Sequence, residues 1–161
     1  MRRRLAGGFT LMEILVVLAV IAILATIAIA NYVTGLQRAR QKRTMADMRT
    51  IASAWEARAT EMKGYSAAGF TFPGQPVIYV ELKDVLVPTY ANPLPMNDGW
   101  GRAFDFATDQ AWGTLSAQSY SIRSSGSDGA FDGGTYTPGS IDKFECDIVY
   151  ANGSFVTYPS R

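Results

Sequence analysis

An uninterrupted apolar stretch dominates the front of this chain: from Ile14 to Ala30 there is no charge, and Thr26 is the one hydroxyl. Counted from Phe9 the run is 22 residues, roughly 33 Å as α-helix, enough to cross the hydrocarbon of a bilayer. One residue breaks the pattern. Glu13 stands at the start of the run, four residues after Phe9. A carboxylate there costs a few kcal/mol in lipid, roughly, unless it finds a partner or stays near the headgroups. What Glu13 pairs with is therefore the question the sequence poses.

Two readings of the N-terminus compete. Arg2, Arg3 and Arg4 form a basic segment before the apolar run, as in a secretory signal, and Ala28-Ile29-Ala30 is a small-x-small triplet suited to signal cleavage. Against this, the charge-free run of 17 residues is long for a signal, and Glu13 would be unexplained in it. The other reading cuts between Gly8 and Phe9 and leaves the whole run on the product. Loop charge does not orient the span, because Arg38, Arg40, Lys42 and Arg43 follow it. That second cluster suits either anionic headgroups or neighbouring subunits.

The motif G-F-T-L-M-E, Gly8 to Glu13, followed by a long apolar helix, resembles the class III signal of type IV pilins and type II secretion pseudopilins. The resemblance implies a leader of residues 1–8, cut by a prepilin peptidase after Gly8. It implies a mature terminus at Phe9 that the same enzyme N-methylates, with Glu13 the fifth mature residue. Ala22 and Ala30 stand where the family often has Gly and Pro. Alanine there favours an unbroken helix.

Physical chemistry points the same way. Cutting before Phe9 makes a positive amine one helical turn from Glu13. In a staggered bundle the amine of one copy meets Glu13 of the next, and two costly charges compensate each other. That pairing would also set the register, which a helix apolar on every side specifies poorly.

Beyond Ala30 the helix is expected to continue to Lys63, with Gly64 as its C-cap. Met45, Met48, Ile51, Ala52, Trp55, Ala59 and Met62 recur at spacings of three or four, one apolar face for packing on a sheet. Pro and Gly between Tyr65 and Gln75 predict a loop. Val77 to Val80 reads as a short extended piece, and Glu81 to Leu86 as a helical turn ended by Pro88. Asn97 to Phe106, N-D-G-W-G-R-A-F-D-F, resembles the segment that opens the sheet in major pseudopilins; Trp100 and Gly101 match, and Gly99 replaces the usual proline. Tyr120 and Ile122 alternate with polar neighbours, as in a half-buried strand. Asp147–Ala151, Asn152-Gly153 and Ser154–Tyr158 read as a hairpin with a type I′ turn.

The expected architecture is α+β. A helix with a membrane half (9–30) and an amphipathic half (31–63) packs on a small antiparallel sheet in a periplasmic domain of residues 64–161. The charge is divided accordingly: ten Lys and Arg against four Asp and Glu up to Lys63, five against ten after it. Basic residues flanking a membrane segment and an acidic globular part do not make a nucleic-acid binder.

Ser124 to Ile148 holds Asp128, Asp132, Asp142, Glu145 and Asp147 among glycines. Carboxylates spaced by flexible backbone can supply the oxygens calcium needs. The stretch resembles the calcium loop of major pseudopilins, which implies Asp128 and Asp147 as ligands and the Ser125 carbonyl by position. Asp132 is a further candidate. The middle Glu of that loop is missing here, and the segment from Gly134 to Asp142 is longer. It is not an EF-hand.

Nothing favours catalysis. There is no histidine, and Cys146 is the one cysteine, so neither an imidazole base nor a paired-thiol site exists. Asp105 and Asp109 read as exposed strand and turn residues. The expectation is a structural subunit with no enzyme activity, a major pseudopilin-like filament protein of a type II secretion system. It would sit as a single-pass protein in the inner membrane, in contact with lipid, before assembly. Its implied partners are copies of itself, the prepilin peptidase, minor pseudopilins and an inner-membrane assembly platform. Two alternatives stay open: a type IV pilin of a surface fibre, and a secreted acidic β domain with a conventional signal peptide.

Overall fold

The computed structural model describes residues 8–62, 75–110 and 118–160. The basic segment Arg2–Arg4, the C-cap expected at Gly64 and most of the loop expected from Tyr65 to Gln75 lie outside them. The chain divides into two units, Met1–Leu36 and Gln37–Arg161.

Helix α1 runs Leu11–Met62. In the first unit it passes through Gly35, the one weak breaker, without a stop. Thr26 and Thr34 do not break it either, because each hydroxyl donates to the carbonyl four residues back, at 2.9 and 3.1 Å. The large apolar side chains here are exposed all round, among them Ile14, Leu18, Ile21, Leu24 and Ile29. This is the described helix long and apolar enough to span a membrane, and none of its apolar window is buried. Such a helix is compatible with single-pass anchoring.

The second unit is a helix-on-sheet layer. Strands β1 (Gln75–Val77), β2 (Asp105–Thr108), β3 (Tyr120–Ser124), β4 (Gly139–Ile141), β5 (Ile148–Ala151) and β6 (Ser154–Pro159) form one sheet in the order β1-β2-β3-β5-β6-β4. A short helix α2, Tyr79–Leu86, follows β1. The extended piece expected over Val77–Val80 is therefore shorter: Tyr79 and Val80 already belong to α2, which buries Leu82 and Leu86.

The apolar stripe of α1 packs as its spacing predicts. Met48, Ile51, Ala52 and Trp55 are at most 1% exposed. The Trp55 ring lies 5.0 Å from Tyr120 and 6.3 Å from Phe106, edge-on to the latter. Phe106 and Ile122 pair across β2 and β3, and Ile122 and Tyr150 across β3 and β5, so one sheet face presents a continuous apolar surface.

Two expectations are corrected. The sheet is not wholly antiparallel, because β4 pairs with β6 in parallel, Gly139 to Thr157. β3 is also not half-buried: Ser121 is 1% exposed. It stands in a row of small residues, Ala107, Ser121 and Ala151, beside a second cluster of Val149, Val156 and Tyr136. The hairpin is as expected. Asn152 at φ 49° and Gly153 at φ 85° supply the two positive angles a type I′ turn needs.

Candidate functional site

Two places carry the residues singled out by the sequence. The first is the entry to α1. Gly8, Phe9 and Thr10 precede the helix in non-helical backbone, all exposed, with Phe9 80% exposed. The bond between Gly8 and Phe9 thus lies in an accessible stretch. Glu13 is exposed on the first turn. Its backbone N–H donates to Thr10 Oγ1 at 3.2 Å, while the Thr10 N–H donates to Glu13 Oε2 at 3.5 Å. This reciprocal pair is a capping box, a local role for Glu13 that Thr-x-x-Glu spells out in the sequence. The carboxylate also sits favourably against the positive end of the helix dipole.

The second place is the acidic loop before β5. Asp147 is 2% exposed. Its Oδ2 accepts the Asp132 N–H at 2.9 Å and the Tyr136 hydroxyl. The Asp147 N–H in turn donates to Asp132 Oδ2 at 3.2 Å. Burial raises the Asp147 carboxyl above its ordinary value, and the hydrogen bonds from Tyr136 and Asp132 oppose that shift. Asp147 Oδ1 is buried and accepts no hydrogen bond among the described residues.

Asp128 and Ser125 share a turn rather than this pair. Asp128 is exposed and its Oδ1 accepts the Ala130 N–H at 3.1 Å. The carbonyl of buried Ser125 accepts the Gly129 N–H at 3.2 Å. Of the four expected ligands, then, Asp132 and Asp147 come together. Among the described residues no three carboxylates, cysteines or histidines gather as a metal group. The fit to calcium is partial: the bare Oδ1 of Asp147 beside Asp132 suits a cation, while Asp128 is engaged elsewhere.

Three residues that sequence reasoning missed hold this region. Arg123 donates to Asp105 Oδ2 at 2.8 and 2.9 Å, to the Gly133 carbonyl at 2.8 Å and to the Tyr136 hydroxyl at 2.9 Å. It also lies over the Phe131 ring at 3.7 Å. Asp105, expected to be exposed, is in fact half of this ion pair, because it faces Arg123 in the β2–β3 register. Arg102 donates to the Gly126 carbonyl at 2.9 Å. Asp98, 2% exposed, accepts the Trp100 and Arg102 N–H groups on Oδ1 and the Ser124 hydroxyl on Oδ2. The available signal was Asn97-Asp98-Gly99, a turn motif with an Asx acceptor.

Residues 3–29 match the family described as a prokaryotic N-terminal methylation motif. The match spans Gly8, Phe9 and Glu13 and supports a type IV pilin-like precursor, processed by a prepilin peptidase. No curated protein and no solved structure matches the chain.

Proposed function

We propose that this chain is a structural filament subunit, a major pseudopilin that serves type II protein secretion. The observation that carries the reading is the methylation motif at residues 3–29, laid on the apolar stretch from Phe9 to Ala30, whose one acidic residue is Glu13. The precursor inserts by residues 9–30 with the basic leader cytoplasmic and the globular part periplasmic. The peptidase hydrolyses the Gly8–Phe9 peptide bond with water and transfers a methyl group from a sulfonium-type methyl donor to the freed Phe9 amine, which gives up a proton. An assembly platform with minor pseudopilins then lifts subunits into a helical fibre. In that fibre the Phe9 amine of one copy meets Glu13 of its neighbour, and the apolar helices bury each other's exposed side chains. The role is structural rather than catalytic.

Calcium belongs to the proposal through Asp147 and Asp132. Loop carbonyls would complete the shell, and the ion would supply positive charge to the buried Asp147 Oδ1. A surface pilus is the second reading. What favours secretion over it is Cys146, which as the one cysteine cannot close the C-terminal disulfide loop that many pilins carry.

Mass spectrometry of the mature protein tests the core of this reading. An N-methylated chain starting at Phe9 is expected, and a chain starting at Asn31 would overturn it. Deleting the gene then separates the two fibres: loss of exported enzymes with surface fibres intact supports the pseudopilin, and the reverse supports the pilus.

A further inference from the structure

The second unit contains a cavity of about 460 Å³ between α1 and the end of β6, lined by Arg38, Gln41, Lys42, Met45, Pro159 and Ser160. A smaller lobe of about 80 Å³ shares Arg38, Gln41, Pro159 and Ser160 and adds Ile141, Asp142 and Phe144. Arg38 and Lys42 lie one helical turn apart, so their like charges face the same space. Neither makes an ion pair among the described residues, whereas Arg43 beside them pairs with Asp47 at 3.5 Å. Gln41 is 6% exposed. It lines both lobes, and its side-chain amide makes no hydrogen bond among the described residues. Two cations without an ion pair among the described residues, the Gln41 side-chain amide and the Ser160 hydroxyl converge on a space whose further walls, Met45 and Pro159, are apolar, with the Asp142 carboxylate confined to the smaller lobe. That is the lining of a site for an anion carried on a partly apolar body.

We propose that this cavity binds the phosphodiester headgroup of an anionic phospholipid while the subunit waits in the bilayer. The proposal rests on the membrane-anchored reading above. Arg38 and Lys42 follow Ala30, the last residue of the apolar run, by eight and twelve positions. Helical side chains tilt toward the N-terminus, here toward the span, and long basic ones reach back to the headgroup layer. The phosphate takes Arg38 and Lys42, Gln41 and Ser160 donate to its oxygens, and the glycerol lies against Met45 and Pro159. Assembly lifts the subunit away from the lipid, so the site is vacated on entry to the fibre.

Native mass spectrometry of the full-length protein, released from neutral micelles containing equal phosphatidylglycerol and phosphatidylcholine, tests this. The wild type is expected to retain phosphatidylglycerol. Arg38→Gln/Lys42→Gln should retain at least about tenfold less. Gln41→Leu, which changes no charge, should also lose it, with melting unchanged as the check on folding. Arg58→Gln/Lys83→Gln removes the same net charge away from both lobes and should behave as wild type. Equal retention in all variants, or equal loss in the charge-matched control, overturns the site. Full displacement by glycerol phosphate without acyl chains overturns the lipid assignment. Carbonate extraction of cell membranes keeps the two failures apart: a wild type that washes off sinks the membrane reading. One that stays embedded yet shows no lipid preference sinks this inference alone.

Discussion

Thr10 and Glu13 cap each other's backbone: the hydroxyl accepts one N–H at 3.2 Å and the carboxylate accepts the other at 3.5 Å. The acidic residue of the apolar stretch therefore has a use within a single copy, at the helix start, where the Thr10 N–H needs an acceptor and the Glu13 N–H is shared between the Thr10 hydroxyl and the Thr10 carbonyl at 3.1 Å. That local use does not need a negative charge, since glutamine caps as well as glutamate. A role between copies does need it.

Glu13→Gln separates the two. It keeps the cap and removes the charge that the proposed Phe9 amine of a neighbour would meet. Normal membrane insertion by carbonate extraction and loss of fibres by electron microscopy are expected. Glu13→Ala should do the same with a frayed first turn. Normal fibres from Glu13→Gln would mean that capping, not charge pairing, is why the acid is there.

Trp55 is the centre of the globular core, 1% exposed and in ring contact with Tyr120 and Phe106. Trp55→Ala should lower unfolding stability by about 3–5 kcal/mol, the usual cost of deleting a buried ring. Trp100 is half-buried, and its indole N–H donates to Gln37 Oε1 at 2.6 Å. Trp100→Phe should cost only about 0.5–1.5 kcal/mol, one hydrogen bond. Urea titration of the full chain in detergent, followed by near-UV dichroism, compares them. Equal costs would show that the sheet, not the α1 stripe, carries the core.

The long helix and the terminal hairpin were legible because each is written locally. A three-four spacing from Met48 to Trp55 and an Asn-Gly pair need no knowledge of the rest of the chain. β4 was not legible: Gly139–Ile141 is three residues with no fully buried position, and its parallel partner β6 is the far strand of the β5–β6 hairpin. Arg123 and Asp98 were equally hidden. Their partners stand 18 and 26 residues away at Asp105 and Ser124, and only the register brings them together. In the acidic loop, the resemblance pointed to Asp128, Asp147 and the Ser125 carbonyl, with Asp132 as a further candidate, and the structure brings only Asp132 and Asp147 together. That Oδ1 of Asp147 is buried and bare follows from Tyr136 and the Asp132 backbone occupying the other oxygen, which composition does not specify.

Gly99 stands where the resembling sequences have proline, and the structure gives a steric reason for the small residue. Its N–H donates to Thr44 Oγ1 at 2.9 Å, and a Cβ at this position would lie 2.2 Å from the Arg40 carbonyl oxygen. Backbone of α1 cannot yield cheaply, so Gly99→Ala should cost about 1–3 kcal/mol as overpacking. Gly139→Ala meets nothing within 4 Å and should stay within about 0.5 kcal/mol of wild type. Thermal melts of both variants check the contrast, and a neutral Gly99→Ala would refute the close approach.

Asp147 gives the acidic loop a testable pH response. Burial raises its folded-state carboxyl above the ordinary 3.8, so the folded chain holds this proton more tightly than the unfolded one. Its contribution is then fully present below 3.8 and is lost as pH rises through the raised value. In chelator, the melting midpoint should fall over that window. Asp147→Asn keeps an acceptor for the Asp132 N–H, carries no charge to strand, and should lack this part of the slope. Calcium at pH 7 should restore the wild-type midpoint, because a cation beside Oδ1 removes the cost of the bare anion, and should leave Asp147→Asn unmoved. A wild-type midpoint indifferent to calcium and chelator would remove the ion from the proposal. A pH slope shared by Asp147→Asn would assign the titration to another carboxyl.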